Sequence, residues 1–261
     1  MLGVMFYQGK SLFDGKPIIG IASFRSKNTK TGNMVQSLIM REDVNPFTAW
    51  CNGQDVSVCG NCKHRLWRTC YVNKAFAPYQ TFLAYKRNRY PLLNNTNIKQ
   101  FNGRTLRIGS YGDPTAIPLE CWLPIIKSCK SFSGYTHQFA TCDQRWKKYL
   151  MASVDTISEY NRAKALGWRT FRIRTPITNR LPDEFICPAS SEGGKKTTCN
   201  KCCSCNGLAK EIKKDVCIIA HGRKGIAKRL VKMLTLKQNK KKFSHLIPAR
   251  NMVSGFPKAK R

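Results

Sequence analysis

Between residues 105 and 220 the chain alternates short apolar runs with helical stretches, and this alternation restricts the available folds more than any other feature. Segments 106–109, 134–139, 150–154, 168–173, 185–187 and 216–220 have the composition of strands. Helices are predicted near 117–128, 142–149 and 157–166. The last stops at Gly167, a residue type that readily takes the left-handed conformation after a helix. Repeated strand–helix units imply right-handed parallel crossovers. About five such units point to an α/β fold, a TIM-like parallel β/α barrel, complete or partial. An open doubly wound sheet is the competing arrangement. Ahead of this region, 18–23 and 34–41 read as an antiparallel strand pair joined by the polar link 27–33. A short helix is expected at 46–51 and a longer one at 71–89, ending before Pro91. The expected organisation is a Cys-rich barrel-like domain at 1–222 and a basic tail at 223–261. Within that tail, 224–237 form an amphipathic helix carrying Ile226, Leu230, Met233 and Leu234, and 238–261 are mobile.

Thirteen cysteines fall largely into two groups. The chain start lacks a basic region and a cleavage site, so a cytoplasmic protein with reduced thiols is expected. Cys59, Cys62 and Cys70 have the spacing C-x2-C-x7-C. A CxxC loop aims two thiolates at one centre, Gly60 permits the tight backbone, and a third thiolate closes from beyond a short helix. Three thiolates leave one position open, for His64, another Cys or water on zinc, or for an exogenous ligand on a [4Fe–4S] cluster. The basic neighbours Lys63, His64, Arg65 and Arg68 are expected to favour thiolate. Cys199, Cys202 and Cys205 follow C-x2-C-x2-C, with Cys187 as a fourth ligand and Cys203 as the odd member facing away. Four thiolates make a closed, structural site for zinc or a cluster, and spacing does not separate the two. Cys51, Cys121, Cys129, Cys142 and Cys217 are expected in the core.

Polar residues gather at the predicted strand ends. Gly109 and Gly112 flank a turn that closes on Asp113 and Pro114, where a ligand can approach bare backbone and Asp113 can accept from its amine or hydroxyl. The same pattern arises wherever Asp caps a βα turn. His137 follows the next strand, Asp155 the one after, and Arg172 and Arg174 share a face of the next by alternation. Asp113, His137, Asp155 and Arg172 are therefore the candidate catalytic residues, because ligand sites form at the C-terminal ends of parallel strands.

The charge balance is 46 Lys+Arg against 14 Asp+Glu, a net +32. Such a surface attracts polyanions, of which nucleic acid is the commonest, although Lys-rich coding bias produces the same excess. The tail supplies 13 of these charges with no acid, leaving +19 on residues 1–222. No apolar run reaches the ~18 residues of a membrane span. A hydrophobic fraction of 42% and five Trp exclude a wholly disordered chain.

Assembled in order, CGNC, GSYGDP, GYTHQ, ASVD, GWRTFR and CPAS followed by C-x2-C-x2-C resemble a phage and prophage family of unknown function, over roughly residues 5–222. That family is similar to phage proteins regarded as radical-SAM-like iron–sulfur barrels. The resemblance implies a viral product acting in a bacterial host cytoplasm and a TIM-like barrel. Cys59, Cys62 and Cys70 would hold an open cluster. Gly109, Gly112 and Asp113 would contact S-adenosylmethionine, and Cys187, Cys199, Cys202 and Cys205 would hold an auxiliary site. One departure matters: radical-SAM enzymes usually use C-x3-C-x2-C, so S-adenosylmethionine cleavage does not follow from C-x2-C-x7-C. The alternative is a non-catalytic, zinc-stabilised nucleic-acid-binding protein. A metal-dependent nuclease is disfavoured, because the four His form no H-x-H pair.

Overall fold

The computed structural model describes residues 2–26, 28–209, 214–221 and 224–243. The described strands are β1 (Gly3–Lys10), β2 (Pro17–Ser23), β3 (Val35–Arg41), β4 (Thr105–Tyr111), β5 (Ser131–Thr136), β6 (Met151–Val154), β7 (Thr170–Arg174), β8 (Glu184–Ile186) and β9 (Asp215–Ile219). They form one sheet in the order β1-β2-β3-β4-β5-β6-β7-β9-β8. The β1–β2 and β2–β3 pairs are antiparallel, and every pairing from β3 onward is parallel. The fold is thus mixed α/β, and its edge strands β1 and β8 are not paired with each other among the described residues.

Ile18, Ile19, Ile21 and Ala22 of β2 and all four residues of β6 are buried, as strands covered on both faces require. The largest buried side chains include Trp122, Trp146 and Trp168. Helix α5 (Leu119–Ser128) brings Trp122 onto the ring of Phe6 at 4.6 Å, and its indole donates to the Pro114 carbonyl at 3.2 Å. Every buried aromatic of this kind removes a large apolar area from water and needs such a partner for its polar atom.

The antiparallel pair β2–β3, the short helix α1 (Pro46–Cys51) and α6 (Ile157–Ala165), followed by Gly167 at φ 76°, agree with the pattern read from the sequence. Several boundaries differ. Strand β1 had no sequence expectation, and it pairs with β2 through a bulge between Met5 and Tyr7. The helix expected from residue 71 is α4 (Ala77–Lys86), which starts with Pro78 in its first turn, where proline is tolerated. The strand expected at 134–139 ends at Thr136, because Asp113 captures the next backbone N–H, that of His137, at 2.9 Å. β9 inserts between β7 and β8, so chain order and sheet order part at that edge.

Helix α7 (Lys224–Phe243) extends past the expected amphipathic stretch. Leu230, Met233 and Leu234 are buried with Ala220 and against Ile173. The side chain of Ile226 and residues 244–261, part of the stretch expected to be mobile, lie outside the described part of the chain. No described helix is long and apolar enough to cross a membrane.

Candidate functional site

The first cysteine loop is built from two single-turn helices. Helix α2 (Val56–Cys59) ends at Gly60, whose φ of 53° and contact with Gln138 leave no room for a side chain. Cys62 precedes α3 (Lys63–Leu66), and its N–H donates to the Cys59 carbonyl at 3.2 Å. The chain then doubles back, with the N–H groups of Thr69 and Cys70 both donating to the His64 carbonyl. The backbone N–H of Asp113 donates to the Val58 carbonyl at 2.6 Å, which pins this loop over the end of β4.

A cavity of about 380 Å³ lies beneath it. Cys59, Cys62 and Cys70 line it together with His64, Gly109, Gly112, Asp113, His137 and Ser153. Phe171 and Ile173 of β7 and Cys199 of the second cysteine loop complete other parts of the wall. The cavity therefore sits at the C-terminal ends of β4, β5, β6 and β7, and its volume is that of a small-molecule site. Gly109 and Gly112 both have positive φ, and a side chain on Gly112 would collide with Ile39. Their bareness serves the turn as well as the cavity.

Asp113 spends its acceptor capacity internally. It accepts from Thr115 N–H at 3.1 Å, Thr115 Oγ1 at 2.8 Å, Thr136 Oγ1 at 2.9 Å and His137 N–H at 2.9 Å. A carboxylate offers about four lone-pair directions, so little remains for a ligand. Asp113 joins the β4 turn to the end of β5 and sets the position of His137. Burial pushes its carboxyl above the ordinary range, against the opposing charge of His137 and the donors around it.

His137 presents an imidazole with no hydrogen bond among the described residues, 5.2 Å from the His64 ring at an interplanar angle of 63°. Burial holds its pKa below the usual histidine value, although Asp155 and Asp113 pull it upward. His64 lies on the cavity wall with Nδ1 2.8 Å from Thr69 Oγ1 and Nε2 3.2 Å from Asp155 Oδ2. Asp155 is fully buried behind it and also faces Lys63 Nζ at 2.7 Å. His64 and Lys63 thus both meet the carboxylate by close ion-pair contact. Burial alone would raise the Asp155 carboxyl, but His64, Lys63 and His137 outweigh it and hold it far below the ordinary carboxylate range. Glu159 closes the group. It accepts from Lys63 and from the backbone N–H groups of Asp155 and Thr156, completing a capping box on α6. Asp155 is thus a positioning residue, one shell away from the cavity.

Arg172 does not meet the expectation that it faces a substrate. Alternation along β7 turns Phe171 and Ile173 toward the cavity and Arg172 and Arg174 away from it. Arg172 forms a two-pronged pair with Glu184, both N–O distances being 2.6 Å, and Arg174 pairs with Glu192. Both guanidiniums are paired with carboxylates in the interior, although Arg174 Nε itself meets no acceptor among the described residues.

All thirteen cysteines are free thiols. Burial, then Cys62, Asp55 and Cys70, push the Cys59 thiol well above its ordinary value. Cys62 and Cys70 rise as well, with burial the largest cause. His64 pulls the Cys62 thiol down and Lys74 pulls Cys70 down, but burial outweighs both. Lys63 serves Asp155 and Glu159, Arg65 serves Asp55, and Arg68 lies over the Trp50 ring at 4.2 Å. In the second group, the Cys205 thiol is pushed up to about 12 by burial, then by Cys187 and Cys199. Cys187 rises by burial and by Cys199 and Cys202. Cys203 has φ 49° and directs its sulfur to the carbonyls of Cys199 and Asn200, away from the set. Cys51 is exposed rather than in the core, whereas Cys217 is buried. Among the described residues, no three Cys, His, Asp or Glu side chains converge closely enough to hold a single metal ion.

Residues that the sequence reading passed over include Glu159, Arg107 and Tyr135. The Thr156–Glu159 capping-box spacing was the available signal for Glu159, while nothing local marked the other two. Comparison of the chain with protein-family models, with curated proteins and with solved structures finds no match.

Proposed function

We propose that this chain is an iron–sulfur protein of the radical-SAM-like kind. In this reading its parallel strands form a partial β/α barrel whose mouth holds a [4Fe–4S] cluster and a small-molecule ligand. One observation carries the reading: Cys59, Cys62 and Cys70 share one cavity wall with His64, His137 and the bare backbone of Gly109 and Gly112. The donor chemistry fits the group. Burial raises all three thiols, and Cys62 adds to the rise of Cys59 and Cys70; a cationic centre would favour their thiolate forms. A cubane cluster binds each thiolate through a different iron and so asks for a wider triangle than a single ion does. When bound, such a cluster supplies an electron and one iron position free of protein ligands. The chain's own part is to exclude water, to present His137 and His64 to the bound molecule, to hold the His64 imidazole against Asp155 and to fix the His137 backbone on Asp113. S-adenosylmethionine is the ligand that the family resemblance implies for the thiol end. Cys187, Cys199, Cys202 and Cys205 would hold a second, structural centre. In the phage setting of that resemblance, the protein acts in the host cytoplasm.

Nucleic acid as the larger substrate is favoured by one surface feature. Trp67, Tyr71 and Phe76 are exposed around the first cysteine loop, beside the exposed Arg68 in the chain. Exposed aromatics interleaved with cations suit base stacking and phosphate contact.

The test is anaerobic expression in iron-rich medium followed by metal and sulfide analysis. The expected protein is brown, absorbs near ~400 nm and carries several irons. Cys59→Ser, Cys62→Ser and Cys70→Ser should each remove one cluster's iron while the second centre stays loaded. Colourless protein holding only zinc would replace this reading with that of a zinc-stabilised nucleic-acid-binding protein.

A further inference from the structure

Among the described residues, buried arginines have acidic or carbonyl partners, with one exception. Arg41 pairs with Asp43, Arg172 with Glu184 and Arg174 with Glu192, while Arg169 donates to the carbonyls of Gly207 and Lys214. Arg107, on β4, is just as buried and lines the cavity. Its polar contact is Ser133 Oγ at 3.4 Å, and the face of Tyr135 lies 4.2 Å from its guanidinium carbon. The Tyr135 hydroxyl, Tyr71 and the Cys199 thiol also lie near the guanidinium, but no carboxylate or backbone carbonyl meets it among the described residues. A buried cation whose donors point into a cavity without an acceptor is costly unless a ligand completes it.

The surroundings match an anion. Lys30, Arg65, Lys74 and Arg107 line the cavity against two acids, Asp55 and Asp113. Asp55 is taken by Arg65, and Asp113 by Thr115, Thr136 and His137. Beside Arg107 in the sheet stands Gln36, which is linked to Thr31 at 3.2 Å and to Ser110 at 2.6 Å, so a wall of neutral donors and acceptors adjoins the guanidinium. Lys30 Nζ approaches His221 Nε2 at 3.2 Å, a second basic group without a carboxylate partner among the described residues.

We infer that the Arg107 part of the cavity is an anion subsite, which takes a phosphate or carboxylate group of the small molecule bound there. The guanidinium edge would receive two oxygens side by side, the geometry for which arginine is pre-organised. This inference concerns a different wall from Cys59, Cys62 and Cys70 and does not depend on iron there, while Cys199 and Cys205 of the second loop lie near Arg107.

The test uses the full chain in a buffer free of both anions. Sodium phosphate and sodium malonate are titrated at constant ionic strength, with sodium chloride as the reference, and followed by thermal unfolding and calorimetry. A saturable rise in Tm with phosphate or malonate, absent with chloride, is expected. Preference for phosphate marks a phosphorylated ligand, and preference for malonate a carboxylic acid. Arg107→Gln should weaken binding at least tenfold, Arg107→Lys should weaken it less, and Arg89→Gln, an exposed change, should leave it unaltered. Iron content should be unchanged in all three variants, which separates this result from the fate of the cluster reading. Without ligand, Arg107→Met should melt no lower than the wild type, whereas Arg172→Met should melt well below it. The inference is overturned if neither anion saturates, if Arg107→Gln binds like the wild type, or if Arg107→Met is destabilised as much as Arg172→Met.

Discussion

The two cysteine loops contain similar motifs but are held to the sheet in different ways. The second is laced on by backbone hydrogen bonds. Cys199 and Asn200 donate to the carbonyls of Lys30 and Thr31, both at 3.0 Å, and Gly134 of β5 donates to the Cys205 carbonyl at 2.9 Å. Cys187 is buried with Met151, Phe171 and Val216, with Cys199 and Cys205 packed against them. The first is tied to the sheet ends by Lys63 and His64 on Asp155 and by the Asp113 N–H on the Val58 carbonyl, and Arg65 on Asp55 braces it from within. Backbone ladders and apolar packing are indifferent to pH and anchor a structural plug. Buried ion pairs are sensitive to the loss of one member, and they adjoin a cavity where titratable groups have work to do.

The largest expected effect tests the second loop. Cys187→Ser combined with Cys205→Ser should abolish soluble protein or cost about 4 kcal/mol or more, since a closed metal site contributes folding energy directly. Yield and urea unfolding measure it. Next comes Asp155→Ala, which leaves Lys63 with Glu159 alone and His64 Nε2 without a partner and should cost about 1–3 kcal/mol, whereas Lys63→Met with Asp155→Leu should recover part of that loss. If Asp155→Ala unfolds at the wild-type urea midpoint, the charged anchoring of the first loop is refuted. Cys70→Ser should be milder, about 1 kcal/mol, yet it should empty the first centre of iron. Equal losses of soluble protein from Cys70→Ser and from the second-loop variant would erase the distinction between the two loops.

The smallest effect is on pH dependence. His137 faces Asp113, Asp155, Lys63, Glu159 and the His64 ring, and burial keeps its folded pKa below the ordinary value. An unfolded imidazole takes its proton near pH ~6.5. As pH falls below that, the unfolded chain binds the proton before the folded protein does, so this residue's contribution lowers stability toward acid. His137→Gln should flatten the change in urea midpoint between pH 7 and pH 5, by less than about 1 kcal/mol. An unchanged slope would mean that His137 does not titrate in this window.

Much of the framework was legible from local pattern. Short apolar runs marked β2 to β9, Gly167 marked the end of α6, and Asp113 fell where a capping residue belongs. Cysteine spacing alone singled out Cys203 as the sulfur that faces elsewhere. Other features depend on partners far away in sequence. Arg172 and Arg107 occupy similar strand positions and look equivalent in a sequence. Glu184 stands opposite one, and an open cavity beside the other.

Short-range periodicity thus determined which segments become strand or helix and which sulfurs fall near each other, because backbone geometry and loop closure act over a few residues. Only the sheet order decided that thiols from 59–70, the histidines at 64 and 137 and an unpaired guanidinium at 107 share one chamber. That juxtaposition arises from parallel pairing between strands separated by long connections, and its energy lies in burial and charge compensation that no local window contains.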